Sequence, residues 1–263
     1  MIKAILERVR QGRRTVEYPA KAPEMPERFR GVPQLALQRC AERCEEAARV
    51  CPTGALTVRR NAGGGPGEAT RLQMDLGRCV FCGACERASG GGAVRFTRDY
   101  RLAVRTRRAL CITGGTLPRV EPLTGSVRRV LGRALTLRHV SAGGCNACEA
   151  DTNVLSTIVF DLSRFGIHIA ASPRHADGII VSGPVTRNME AALRATYDAI
   201  PAPKIVIAVG ACAISGGIYR GHNETCDGVD GIVPVDLYVP GCPPHPLTIL
   251  DGILRLIGRR VPA

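Results

Sequence analysis

The chain has 263 residues, with 36 Lys and Arg against 23 Asp and Glu for a formal net charge of +13; Trp is absent, Gly and Pro number 30 and 18, and aromatic residues are few. That length allows two modest domains, and the composition predicts a loop-rich α/β protein with an aliphatic core. The positive excess is mostly Arg within the first 140 residues and has no aromatic interleaving or helix-turn-helix pattern beside it, which sets nucleic acid aside and points to acidic subunits or lipid headgroups.

Residues 1–12 predict a short helix with Ile2, Ile5, Leu6 and Val9 on one stripe and basic residues opposite, either packed on its own domain or docked on a membrane surface or subunit. Neither this segment nor the residues after Arg13-Arg14 carry the apolar core of a secretory signal, and no apolar run approaches the roughly 20 residues that span a bilayer, so a cytoplasmic location is expected. Pro19, Pro23, Pro26 and Pro33 make residues 13–33 an extended strap. A cysteine-rich segment, 34–115, holds two similar units. Cys51-Pro52-Thr53-Gly54-Ala55-Leu56 marks the first and Cys79-Val80-Phe81-Cys82-Gly83-Ala84-Cys85 the second, with a Gly-rich loop, Asn61 to Gly67, between them. Residues 116–137 are expected to be a connector with one short helix. From 138 to 263, short β-branched runs (137–140, 167–171, 178–181, 205–209 and 237–239) alternate with helical stretches near 149–164, 187–199 and 246–258, the pattern of a mostly parallel sheet covered on both faces.

Twelve cysteines in a reducing compartment point to metal or redox work, because disulfides are disfavoured there. In the C-terminal domain the first, fourth and fifth expected strands each run into a cysteine loop: Gly143-Gly144-Cys145-Asn146-Ala147-Cys148-Glu149, Gly210-Ala211-Cys212 and Pro240-Gly241-Cys242-Pro243-Pro244. The carboxyl ends of parallel strands share one edge of the sheet, so Cys145, Cys148, Cys212 and Cys242 are expected to converge. Four thiolates suit a 4Fe–4S cluster. A zinc site usually draws on two close CxxC pairs, whereas here one pair is joined by two isolated cysteines.

The segments CNACE, SPRHADGIIVSGPVT, PKIVIAVGACA and VPVDLYVPGCPP, in order across 138–258, resemble the small subunit of energy-converting (group 4) nickel–iron hydrogenases, whose fold is shared with the complex I subunit that carries the terminal cluster. The resemblance implies a flavodoxin-like α/β domain holding the proximal 4Fe–4S cluster on Cys145, Cys148, Cys212 and Cys242. It also implies a nickel–iron large subunit as partner, integral-membrane ion-translocating subunits, and a place on the inner face of the cell membrane. The complex I relative has adjacent cysteines in the first loop, so the spacing of Cys145 and Cys148 favours the hydrogenase branch. Two readings stand for Glu149: a proton relay near the subunit interface, or an acid at the N-terminus of the following helix.

The N-terminal segments, including EYPAKAPEMPERFRG and FTRDYRLAVRTRRAL, resemble the two-cluster ferredoxin subunit of the same complexes, implying a small α+β bacterial ferredoxin-like domain fused in front. In the run C-x2-C-x2-C-x3-C-P the fourth cysteine serves the other cluster. By that exchange Cys79, Cys82 and Cys85 with Cys51 complete one quartet. The other would need Ala41, Cys44, Ala47 and Ser89, three of which are not cysteines. One 4Fe–4S cluster is expected here, and two in the chain. A rearranged site on Cys40, Cys44 and Cys111 is the alternative to leftover or core thiols, and Cys226 has no assigned role. The expected function is electron relay, with a ferredoxin or a formate dehydrogenase as donor or acceptor. The runners-up are a quinone-linked complex I-like module and a related complex lacking nickel.

Overall fold

The computed structural model describes residues 2–35, 41–59, 71–114, 117–132, 134–259 and 261. Cys40 and the Asn61–Gly67 loop lie outside these. Helix α1 (Ile2–Gln11) stops where Gly12 turns left-handed (φ 59°) and its N–H donates to the Arg8 carbonyl. The proline-bearing strap continues without helix or strand to β1 (Pro33–Leu35).

Next come α2 (Ala41–Arg49), β2 (Leu56–Arg59), β3 (Arg71–Asp75), α3 (Ala84–Ala88), β4 (Val94–Phe96) and β5 (Cys111–Ile112). Strand β1 pairs antiparallel with β4, and β3 lies between β2 and β5, also antiparallel. The arrangement is two helix–turn–strand units, α2 to β2 and α3 to β4, with the two helices in contact.

Helix α4 (Gly125–Leu131) is the short helix of the expected connector, and β6 (Leu135–Ser141) starts inside that connector's C-terminal end. The rest is α5 (Ala147–Val154), β7 (Ile167–Ile169), β8 (Gly178–Ser182), α6 (Arg187–Asp198), β9 (Ile205–Val209), α7 (Ala211–Ser215), β10 (Leu237–Val239) and α8 (Pro246–Leu256). All pairings in this sheet are parallel, in the order β10-β9-β8-β6-β7. Counted from β6, that is the doubly wound 2-1-3-4-5 order of flavodoxin-like folds. Strands β8 (GIIVS) and β9 (IVIAV) are buried at every residue, which explains apolar runs with no alternation.

The sheet separates two cores. Ile179, Val181, Val206 and Ala208 share one with Leu193 of α6 and with Leu56, Leu72, Leu76 and Leu110 of the N-terminal unit. Ile180, Ile205, Ile207 and Val209 share the other with Ile249, Leu250 and Ile253 of α8 and with Tyr18 and Met25 of the strap. Backbone bonds in both directions between Val104 and Tyr238 (3.0 and 2.9 Å) cover the outer edge of β10 with a piece of the N-terminal unit.

The strap is fastened to α8 by one buried polar contact. The Tyr18 hydroxyl donates to Asp251 Oδ1 at 2.7 Å, and Arg255 Nε donates to Asp251 Oδ2 at 2.9 Å. Asp251 is 1% exposed, so its carboxylate depends on these donors. Replacing Tyr18→Phe keeps the ring but removes the O–H; we expect a loss of about 1–3 kcal/mol, read as a lower urea midpoint at unchanged slope. An unchanged midpoint would mean that the Tyr18 hydroxyl adds nothing to the other contacts that hold the strap.

Candidate functional site

Three strand ends of the parallel sheet deliver four thiols to one place. Strand β6 runs into Gly143 (φ 87°), Gly144 and Cys145. Asn146, left-handed at φ 70°, then opens α5, which carries Cys148 in its first turn. Strand β9 runs into Gly210 (φ 91°) and α7, where Cys212 sits; β10 runs into Gly241, Cys242 and Pro243. The last two exits are zipped together, since Gly210 N–H donates to Val239 O (2.9 Å) and Ala211 N–H to Gly241 O (2.8 Å). A Cβ on Gly210 would stand 2.5 Å from Cys148 Sγ, and one on Gly217 2.7 Å from Cys212 Sγ, so glycine lets the backbone close on the sulfurs.

The thiols feel one another. Cys148 is raised well above the ordinary thiol range by burial, with Glu149, Cys212, Cys242 and Cys145 adding to it. Cys212 is pushed up to about 11 by burial, then by Cys242 and Cys145. Cys242 is raised by burial and then by Cys145. Cys148, Cys212 and Cys242 thus resist ionising beside one another, and a cationic centre set among such thiols would favour their charged forms. Among the described residues no group of three or more His, Cys, Asp or Glu is drawn tightly enough to grip a single ion. The thiols meet at Coulomb range.

Glu149 is buried beside this quartet. Its Oε1 accepts from Ser141 Oγ and Ser182 Oγ, both at 2.8 Å, and His139 Nε2 lies 2.9 Å from Ser182 Oγ. Burial works to raise its pKa, but the two serine hydroxyls outweigh that and hold the carboxyl below the usual range. Burial also lowers His139. Nothing in the local sequence announced the two serines, which come from the ends of β6 and β8.

The second quartet lies in the N-terminal unit. Cys51, Cys79, Cys82 and Cys85 line one small cavity with Pro52, Met74 and Phe96. Burial pushes Cys79 up to about 12, with Cys85, Cys51 and Cys82 adding to it. Cys85 rises to about 11 by burial, and then through Cys51 and Cys82. Backbone N–H groups already point at sulfur: Ala55 donates to Cys51 Sγ (3.2 Å) and Phe81 to Cys79 Sγ (3.4 Å). Three guanidinium groups hold the loops, Arg30 on Phe81 O (3.3 Å), Arg78 on Thr53 O (2.8 Å) and Arg87 on Cys82 O (3.1 Å). Arg78 Nε is buried without an acceptor among the described residues. These arginines were missed in the sequence, where only their high number was visible.

The remaining candidates stand apart. Cys44 and Ala47 are fully buried in the apolar core, and Cys44 is not a free thiol. Ser89 spends its hydroxyl on Cys85 O (2.9 Å). Cys111, on β5, pairs in register with Asp75, while Cys226 is half-buried with its thiol 3.5 Å from Glu190 Oε2. The segments that carry the two quartets are joined by a side-chain-to-backbone hydrogen bond. Ser215 Oγ, at the end of the helix that carries Cys212, donates to Gly77 O (2.8 Å), two residues before Cys79. A Cβ on Gly77 would lie 2.7 Å from Ile214 Cγ2. A cavity of about 240 Å³ opens between Phe81 on one side and Gly241, Pro243 and Pro244 on the other.

Known proteins resemble about half of this chain. The probable membrane-bound hydrogenase subunit mbhJ of Pyrococcus furiosus is 40% identical over 136 residues, 52% of this chain and 81% of the relative. Formate hydrogenlyase subunit 7 of Escherichia coli is 40% identical over 139 residues, 53% of this chain and 54% of that one. An NADH-quinone oxidoreductase subunit of Desulfovibrio desulfuricans is 44% identical over 125 residues, 48% and 67% of the two chains. Among solved structures, a chain of the membrane-bound sulfane sulfur reductase, an archaeal respiratory membrane complex, aligns at 34% identity and a TM-score of 0.44, covering 49% of this chain and 72% of that one. The family described as NADH ubiquinone oxidoreductase, 20 Kd subunit, matches residues 145–256, from the first cysteine of the C-terminal quartet to the end of α8. The chain belongs to this family.

Proposed function

We propose that the chain is an iron–sulfur electron-transfer subunit of a membrane-associated group 4 nickel–iron hydrogenase complex. The carrying observation is the meeting of Cys145, Cys148, Cys212 and Cys242 at the carboxyl edge of the parallel sheet, each raised thiol feeling its neighbours. Cys51, Cys79, Cys82 and Cys85 would hold a second cluster in a ferredoxin-like unit spanning 34–115. A 4Fe–4S cluster, when bound, supplies reversible one-electron redox chemistry.

The residues of this chain bury that chemistry, donate N–H groups to sulfur and set the local charge. Arg30, Arg78 and Arg87 place positive charge around the N-terminal quartet, while Glu149 sets a carboxylate beside the C-terminal one. Gly77 and Ser215 keep the two cages in fixed register. Partners under this reading are a nickel–iron large subunit at the C-terminal cage, integral-membrane ion-translocating subunits, and an acidic donor or acceptor such as a ferredoxin or a formate dehydrogenase at the basic N-terminal unit. The 44% identity to a subunit of an NADH-quinone oxidoreductase supports a second reading, a quinone-linked module; the CxxC spacing of Cys145 and Cys148 weighs against it.

Iron and acid-labile sulfide on anaerobically purified protein are expected at about eight each, from two four-iron clusters, with two interacting paramagnetic signals on reduction. Cys212→Ala is expected to leave about four irons and one signal. Stoichiometric zinc without sulfide would overturn the assignment. Gly210→Ala forces a side chain 2.5 Å from Cys148 Sγ at a left-handed residue, and is expected to empty the C-terminal site while sparing the other signal. Arg78→Gln, at full iron content, is expected to lower the midpoint potential of the N-terminal centre by about 30–60 mV, a three- to tenfold shift of a one-electron equilibrium. An unshifted potential would leave Arg78 a purely structural clamp on Thr53.

A further inference from the structure

Helix α1 takes no part in either thiol cage, and none of its residues is buried. Ile2, Ile5, Leu6 and Val9 are 61–75% exposed. Their spacing puts them on a single arc about 100° wide. On the same helical projection Lys3 and Arg10 border one side of the arc and Arg8 the other, while Glu7 and Gln11 face away. An isolated helix of this length is marginal in water, so a fully bared apolar stripe is matched to a cover.

A second exposed apolar patch adjoins the base of this helix. Thr15 Oγ1 donates to Ile158 O (3.0 Å) and Val16 N–H to Val159 O (2.8 Å), and Ile158 and Val159 are themselves 72% and 41% exposed. Arg164 reaches across to the carbonyls of Val16 (3.0 Å) and Tyr18 (2.7 Å). The strap thus ties α1 to the family domain beside two more bared aliphatic side chains. The surroundings carry Lys3, Arg8, Arg10, Arg13, Arg14 and Arg164 against the acids Glu7, Glu17 and Asp161. Cations on both borders of an apolar arc suit a helix lying in the plane of a bilayer, where headgroup phosphates meet its flanks; a closed groove in a partner protein would bury the same charges.

We propose that α1, together with Ile158 and Val159, is a surface anchor for an anionic lipid bilayer. This deepens the membrane-complex reading and rests on it for location, but its test needs neither metal nor partner subunits. The full chain is sedimented with vesicles of phosphatidylglycerol and phosphatidylcholine, and separately with pure phosphatidylcholine. Partition into the anionic vesicles is expected to fall at least tenfold in pure phosphatidylcholine, in 0.5 M salt, and in the Ile5→Glu/Val9→Glu variant. Arg8→Gln/Arg10→Gln, which keeps the stripe, is expected to weaken binding to anionic vesicles and leave the melting temperature unchanged, so a folding defect in the first variant does not decide the matter. Equal binding to both lipids, retention by both variants, or no binding by the unaltered chain overturns the proposal, the last leaving α1 to dock on protein. Iron content is measured on the same samples: loss of iron with intact vesicle binding counts against the electron-transfer reading alone.

Discussion

The closure of backbone on sulfur at the mouth of the parallel sheet governs the rest of this molecule. Gly210 leaves β9 at a positive φ with Cys148 Sγ packed where its side chain would be, and its N–H is already committed to the end of β10. Any residue with a Cβ at that point would push the β6 and β9 loops apart. The order β10-β9-β8-β6-β7 makes the meeting possible, because it sets β6 and β9 on either side of β8 and puts β10 next to β9. Parallel pairing then brings all their exits to the same edge.

The two thiol cages are held to each other by shared structure as well as by sharing a chain. One apolar core runs from Leu56 and Leu72 of the N-terminal unit to Ile179 and Val206 of the sheet. At its rim Ser215 and Gly77 join the helix of Cys212 to the turn before Cys79, and the Asp75–Arg107 pair (2.6 Å) braces that turn from behind. The charge settings differ, with guanidinium groups around one cage and a hydrogen-bonded carboxylate beside the other. Under the proposed electron-transfer reading, reduction would add negative charge, which the first environment would tolerate better than the second.

Much of the sheet was legible beforehand because buried parallel strands are written as unbroken aliphatic runs. The expected 205–209 and 237–239 coincide with β9 and β10, and 178–181 falls one residue short of β8. Strand β6 begins two residues earlier than its apolar run suggested, since Leu135 and Leu137 alternate with half-exposed residues and read as part of a connector. The expected helix at 149–164 is shorter, ending at Val154, and a separate 3-10 turn occupies Leu162–Phe165. At the site, the cysteines were visible as spacing, but their supports were not. Arg30 meets Phe81 across 51 positions and Ser182 meets Glu149 across 33, and such long-range bonds leave no local pattern.

The Val104–Tyr238 bridge gives the front of the chain a duty toward the back. Strand β10 leads into the Cys242 loop and forms the margin of the sheet, so stripping away the leading unit would leave the Tyr238 amide and carbonyl without these partners beside a thiol loop. In a polypeptide that carries both halves, that shield is present at a fixed stoichiometry as soon as synthesis is complete. Continuity of the chain therefore supplies the cover of this margin in cis, where separately translated halves would have to find each other in solution.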